Sequence, residues 1–181
     1  LGYAEAAGIP YETALIRNHY VRRTFIEPAQ SIRMFGVKVK HNAIHSMLEG
    51  KRVVLVDDSI IRGTTLVKIV AMLRNAGARE VHVRISAPPT IGPCHYGMDT
   101  PTREELIAHN HSVDEIRDII GADSLGFLSL EGLRKTAATE LKRGICDACF
   151  SNEYPIPIDP EQQIPQLSLF RANEEERFED D

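Results

Sequence analysis

The chain has 181 residues, a length that suits one domain with a sizeable core. Hydrophobic residues make up 43% of it, as in an ordinary soluble globular protein, and no apolar run reaches the roughly 18 residues of a membrane-spanning helix. The formal charge of −5 is uneven: Arg171 to Asp181 holds six acids against two bases, which leaves about −1 for everything before it.

That composition excludes several functions. No basic stripe with interleaved aromatics points to nucleic acid. No secretory signal is visible, and three cysteines do not pair off into a disulfide framework, so a reducing, cytoplasmic setting is expected. The chain opens on Leu rather than Met and reads as a fragment of something longer. Residues 1–170 are expected to form one domain with a C-terminal extension, and 171–181 a solvated, frayed acidic tail.

In chain order, Gly2 to Ala7 looks helical and stops at Gly8. Ala14-Leu15-Ile16 is a short strand. Arg17 to Gln30 has no clean period and mixes Arg17, His19, Arg22 and Arg23 with Tyr20, Phe25, Ile26 and Pro28. A basic, period-free segment reads as a loop, with a solvated surface loop as the plain alternative to a lid. Residues 31–36 suggest a short helix.

Everything else is arranged around Val53 to Thr65. Val53-Val54-Leu55-Val56 predicts a short buried strand. Asp57 and Asp58 stand at its carboxyl end, followed by Ser59, Arg62, Gly63, Thr64 and Thr65. Leu66, Ile69, Val70 and Leu73 then fall on one stripe of a helix that ends near Ala76. Strand, loop and helix aim backbone N–H groups at an anion. Hydroxyls of Ser59, Thr64 and Thr65 add donors, and Gly63 lets the backbone come close. Two acids repel a phosphate, but they suit ribose hydroxyls or Mg²⁺. The plain alternative is an Asp-rich turn capped by Thr64. The Lys and second Gly of a Walker A loop are missing.

Val81, Val83, Ile85 and Ala87 alternate with polar residues and predict a second strand. The resulting unit implies a parallel sheet, whose ligands bind beyond the carboxyl ends of the strands. Thr102 to Glu105 and Ser112 to Glu115 each match a capping box and should start two short helices. Ser124 to Leu130 is a third apolar segment, with Ser129 a candidate cap. The end of the chain, with Pro155, Pro157 and Pro160, is irregular.

Cys146 and Cys149 have the spacing that puts two thiolates on one metal; a redox pair or two inert thiols are the alternatives. Cys94 is a third candidate and His95 a weak fourth. The spacing does not separate zinc from an iron–sulfur cluster. His41, His45, His109 and His111 read as surface or cap residues.

The loop at 53–65 resembles the signature of the type I phosphoribosyltransferases, which implies a parallel sheet flanked by helices (fold class α/β) and phosphoribosyl pyrophosphate as ligand. From Gly2 to about Ile158 the chain further resembles the amidophosphoribosyltransferases. That resemblance rests on Gly8-Ile-Pro-Tyr-Glu12, Arg23-Thr-Phe-Ile26, Pro88-Pro89, Pro93-Cys94, Tyr96-Gly97, Gly121 to Leu130, Cys146-Asp-Ala-Cys-Phe150 and Tyr154-Pro155. It implies transfer of ammonia to phosphoribosyl pyrophosphate, giving 5-phosphoribosylamine in the first step of purine synthesis. It also implies a [4Fe–4S] cluster on Cys94, Cys146 and Cys149, with a fourth Cys upstream, and Mg²⁺ on Asp57 and Asp58. Catalytic roles fall on Arg23, Thr24 and Arg62, and Arg23 to Ile26 matches a loop that closes over the ligand. Substrate contacts fall on Asp57, Asp58, Ser59, Arg62, Gly63, Thr64 and Thr65. A glutaminase domain that supplies ammonia, purine nucleotide effectors and a homo-oligomer follow from the same likeness. Nothing here matches the glutaminase domain, and His19 stands where Arg is more usual. A nucleobase salvage phosphoribosyltransferase and a non-catalytic nucleotide-binding or cluster module are the competing readings.

Overall fold

The computed structural model describes residues 1–17, 41–141 and 144–157. Arg23, Thr24, the expected helix at 31–36 and the acidic tail lie outside these residues.

Gly2–Ala7 forms helix α1, which closes on Gly8 in the left-handed conformation. Strands β1 (Leu15–Arg17) and β2 (His41–Ala43) pair antiparallel, with Arg17 opposite His41. A single turn, α2 (His45–Leu48), leads into strand β3 (Arg52–Asp57). Helix α3 spans Thr64–Asn75 and strand β4 Glu80–Ile85. A 3₁₀ turn at Arg103–Glu105 and the short α4 (Ile107–Asn110) precede α5 (Val113–Ile120). Strand β5 (Ser124–Phe127), helix α6 (Leu130–Leu141) and the turn α7 (Ala148–Ser151) complete the order.

Strands β3, β4 and β5 form a parallel sheet in that order. This is the α/β architecture the alternation of strand and helix signals implies. The four stripe residues of α3 (Leu66, Ile69, Val70 and Leu73) are all buried. They share one core with Val81, Val83 and Ile85 of β4 and with Ile116 and Ile120 of α5. Each such side chain contributes about 1.5–3 kcal/mol on burial, so this face anchors the sheet.

The other face is polar along β4. Arg52 Nε donates to Glu80 at 2.6 Å, His82 bridges Glu80 (3.1 Å) and Ser124 (2.9 Å), and Arg84 donates to Ser124 at 3.0 Å. Period-two alternation in the sequence is the direct cause: one face takes Val and Ile, the other the charged row.

Two expectations need correction. The strand at 53–56 is not fully buried: Val53, Val54 and Leu55 are half-buried and Val56 is 47% exposed. Among the described residues β3 pairs only with β4, so its outer edge lacks a covering strand. The second correction concerns Thr102. Its side chain does not cap the turn that follows, whereas Ser112 and Glu115 form a full reciprocal capping box. The Glu105 amide bonds the Thr102 backbone carbonyl at 3.1 Å instead, and the Thr102 hydroxyl serves the Glu104 carboxyl. At the start of α6, Ser129 accepts from the Gly132 amide at 3.0 Å, the cap its position suggested.

Candidate functional site

The loop from Asp57 to Gly63 leaves the carboxyl end of β3 and opens α3. Its base is tied to the neighbouring strand, for the Asp57 carbonyl accepts from the Ser86 amide at 3.0 Å and the Ser86 hydroxyl at 3.2 Å. Burial raises the Asp57 pKa above its ordinary 3.8, the Asp58 charge adds to the rise, and a hydrogen bond from the Asp58 amide (3.0 Å) opposes it. Asp58 itself is exposed and accepts from the Ser59 hydroxyl at 2.9 Å. That hydroxyl, expected to face a phosphate, is turned toward a carboxylate here.

Gly63 is the N-cap of α3, at φ +73°. The left-handed backbone favours glycine, and a Cβ there would lie 2.8 Å from Ile107 Cδ1, so a side chain would also push the end of Ile107 aside. No side chain caps the helix, which rules out the plain alternative of a Thr64 cap. The first intrahelical bond runs from Val67 N–H to the Gly63 carbonyl, so the amides of residues 64–66 precede the helical ladder. Thr64 and Thr65 flank them, both exposed. Orphan amides at a twelve-residue helix N-terminus, with two threonine hydroxyls, suit an anion.

Arg62 is engaged from outside the loop. Its Nε and Nη2 donate to the two carboxylate oxygens of Glu105 at 3.1 and 3.2 Å. Sequence reasoning missed Glu105, because it follows the loop by some forty residues and no local spacing links the two.

Two carboxylates at one strand end are hard oxygen donors, so Mg²⁺ or ribose hydroxyls fit them by donor chemistry. An apolar recess of about 600 Å³ opens along the outer flank of β3, between Tyr3, Tyr11, Met47 and Val54. It does not reach Asp57 or the loop after it.

The three cysteines lie on two segments that meet. Amides of Ile91 and Gly92 donate to the Cys149 carbonyl at 2.9 and 3.0 Å, bringing the Cys94 loop against the Cys146–Cys149 turn. Tyr154 Oη donates to the Pro93 carbonyl at 2.6 Å, and Gly92 makes room, since a Cβ there would lie 2.6 Å from that oxygen. Tyr96 and His95 pack edge-on against the Tyr154 ring. Asp147, between the two cysteines, pairs with Arg134 at 2.5 Å and accepts from Ser151 at 3.0 Å. Burial pushes the Cys149 thiol up, with Cys94, Cys146 and Asp147 adding to the rise.

No group of three His, Cys, Asp or Glu side chains among the described residues is arranged to hold a single metal ion. An iron–sulfur cluster is larger than one ion and holds its cysteines further apart. Three soft thiols on two segments that meet fit it by donor chemistry, one ligand short of four. His45, His109 and His111 are exposed, as expected of surface histidines.

A parallel sheet with a loop and an uncapped helix start at a strand's carboxyl end defines a class of ligand site. A family model described as a phosphoribosyl transferase domain matches residues 7–120, and the chain belongs to that family. Within it the similar proteins are amidophosphoribosyltransferases. The chloroplastic protein of Glycine max is 54% identical over 179 residues, covering 98% of this chain and 31% of its own length. That of Bacillus subtilis (strain 168) is 56% identical over 170 residues, covering 92% and 36%. A solved structure of the B. subtilis glutamine phosphoribosylpyrophosphate amidotransferase, complexed with ADP and GMP, superposes with TM-score 0.76 at 58% identity, over 88% of this chain and 36% of that one. The chain thus spans about a third of the length of the relatives it matches. No helix among the described residues is long and apolar enough to cross a membrane.

Proposed function

We propose that this chain is the phosphoribosyl-transferring part of an amidophosphoribosyltransferase. The nitrogen lone pair of ammonia attacks C1 of phosphoribosyl pyrophosphate, the C1–O bond breaks with its electrons going to pyrophosphate, and the nitrogen then loses a proton. The product is 5-phosphoribosylamine. The observation that carries this reading is the uncapped N-terminus of α3 one short loop after two carboxylates at a strand end.

Each residue then has a task. The amides and hydroxyls at 63–65 hold a phosphate group. Asp57 and Asp58 accept from ribose hydroxyls and would hold Mg²⁺, which would supply charge neutralisation at the pyrophosphate. C1 becomes oxocarbenium-like as that bond lengthens, so donors fixed in advance matter most at this step. Arg62 adds a cation beside the loop. Arg23 and Thr24 belong, in this reading, to the loop that closes over the ligand and excludes water.

Cys94, Cys146 and Cys149 hold a [4Fe–4S] cluster together with a ligand from outside this chain. Ammonia comes from a glutaminase domain of the longer protein, which is a homo-oligomer under the control of purine nucleotides. Three thiols suit a reducing compartment, the cytoplasm in our reading, although the soybean relative's name places that protein in chloroplasts.

The test is pyrophosphate release from phosphoribosyl pyrophosphate by the whole protein, with ammonium in one arm and purine bases in the other. Release that depends on ammonium is expected. Turnover with a base and without ammonium would show a salvage enzyme instead. Binding without turnover in either arm would show a non-catalytic module.

A further inference from the structure

One short segment touches both the phosphate loop and the cysteine turn. On the loop side, Arg62 makes its two bonds to Glu105, the Ile107 amide donates to the Ile61 carbonyl at 2.9 Å, and Ile107 Cδ1 fills the space left by Gly63. On the cysteine side, Arg103 Nη2 donates to Asn152 Oδ1 at 2.9 Å. Asn152 terminates α7 in the left-handed conformation, φ 62°, with its amide on the Ala148 carbonyl at 2.8 Å. Arg103 and Glu105 are the two ends of one 3₁₀ turn, whose next residue, Leu106, is completely buried. A load on Asn152 therefore has a short path to Arg62: one hydrogen bond, one rigid turn and one bidentate ion pair.

We propose that the Arg103–Glu105 turn is a brace between the cysteine turn and the phosphate loop, and that Arg103 and Glu105 are positioning residues that fix Arg62 for its ligand. The ligand, phosphoribosyl pyrophosphate, rests on the reading given above. An isolated exposed ion pair holds little, and here Arg62 and Glu105 are both nearly half exposed. The brace acts through the sum: three contacts from one segment meet consecutive loop residues 61, 62 and 63. An arginine held bidentately is also held in orientation, which a single charge contact does not achieve.

The experiment uses the whole protein as its gene encodes it, with four variants. Glu105→Gln removes the loop-side charge and Arg103→Met the cysteine-side donor. Arg103→Lys keeps a cationic donor. Asn152→Gly deletes the acceptor while suiting the left-handed backbone. Amide hydrogen exchange is measured without ligand. The dissociation constant for phosphoribosyl pyrophosphate is measured by calorimetry in Mg²⁺ buffer, and KM and kcat by pyrophosphate release.

Faster exchange confined to amides 58–63 is expected in Glu105→Gln, Arg103→Met and Asn152→Gly. Kd and KM should rise together by about two- to fivefold, the size of one lost exposed ion pair, with kcat held. Arg103→Lys should recover most of the affinity. A residue with only a structural role would instead lower the melting temperature and loosen the sheet as a whole. Unchanged exchange at 58–63 in all three variants overturns the brace. So does tighter binding by Glu105→Gln, which would mean that Glu105 withholds Arg62 from the ligand. If the unmodified protein does not bind phosphoribosyl pyrophosphate, the functional reading fails, and the exchange arm still decides the brace.

Discussion

Asp57 is asked to be ionised in a place that disfavours charge. Burial raises its pKa, with Asp58 beside it adding to the rise. The sign follows from linkage: a carboxyl with a raised folded pKa costs stability above that pKa, and the cost is relieved as pH falls through it toward the unfolded value of 3.8. Replacing Asp57 by Asn removes the charge. Asp57→Asn is therefore expected to raise the melting temperature at pH 7 and to weaken phosphoribosyl pyrophosphate binding about tenfold or more, the loss of charge-assisted hydrogen bonds. A melt and a titration on the same sample check both; a variant that melts lower and binds normally would remove Asp57 from the site. The unmodified protein should also lose affinity on acidification at a higher pH than an ordinary aspartate would dictate. The cysteines differ in the same physical terms. Cys146 is exposed, while burial and neighbouring charge hold Cys149 as a thiol. With the thiols free, iodoacetamide at pH 8 should label Cys146 first, as peptide mass spectrometry would show.

At the scale of elements, two helix starts make a controlled comparison. Gly63 opens α3 in a left-handed conformation that strains any other residue, with the end of Ile107 packed against it. Gly63→Ala should cost about 1–3 kcal/mol of stability and abolish most ligand affinity, because the strain falls on the loop itself. Ser112 opens α5 with a reciprocal capping box that includes no residue of the loop at 57–63. Ser112→Ala should cost about 1 kcal/mol and leave affinity unchanged. Equal loss of affinity in both would mean that the loop merely reports global stability. The same elements show what was legible in the sequence. The strand, loop and helix from Arg52 to Asn75, the α3 stripe and the Ser112 cap were, because each is encoded within a couple of dozen residues by spacing and residue type. Thr102 matched the same capping pattern and was misread, since its hydroxyl goes to Glu104 while Glu105 turns to Arg62. The exposed edge of β3 was misread for a similar reason: Val53 to Val56 has the composition of a buried strand, but burial depends on a neighbour that local pattern does not specify. Arg103, Glu105 and Asn152 could not be found from spacing at all, because their partners lie some forty to fifty residues away.

On the scale of the whole molecule, the cysteine module is where distant parts of the chain are fastened together. The loop after β4 meets the C-terminal turn through backbone bonds to Cys149, through Tyr154 on Pro93, and through Tyr96, whose hydroxyl donates to the Ile156 carbonyl and accepts from its amide. Tyr154 is the central fastening, with its ring against His95 and its hydroxyl one residue from Cys94. If these thiols hold a cluster, the protein around them sets how readily it is lost. The whole protein, purified without oxygen, should contain about four irons per chain. Cys146→Ser should remove them. Tyr154→Phe should retain them but release iron to a chelator several times faster, since the Cys94 loop loses the bond that closes it on the turn. An iron-free wild-type protein would refute the cluster. Equal release rates in the two proteins would leave the cluster standing and assign the closure of the loop to the Cys149 carbonyl bonds and the Tyr96–Ile156 pair.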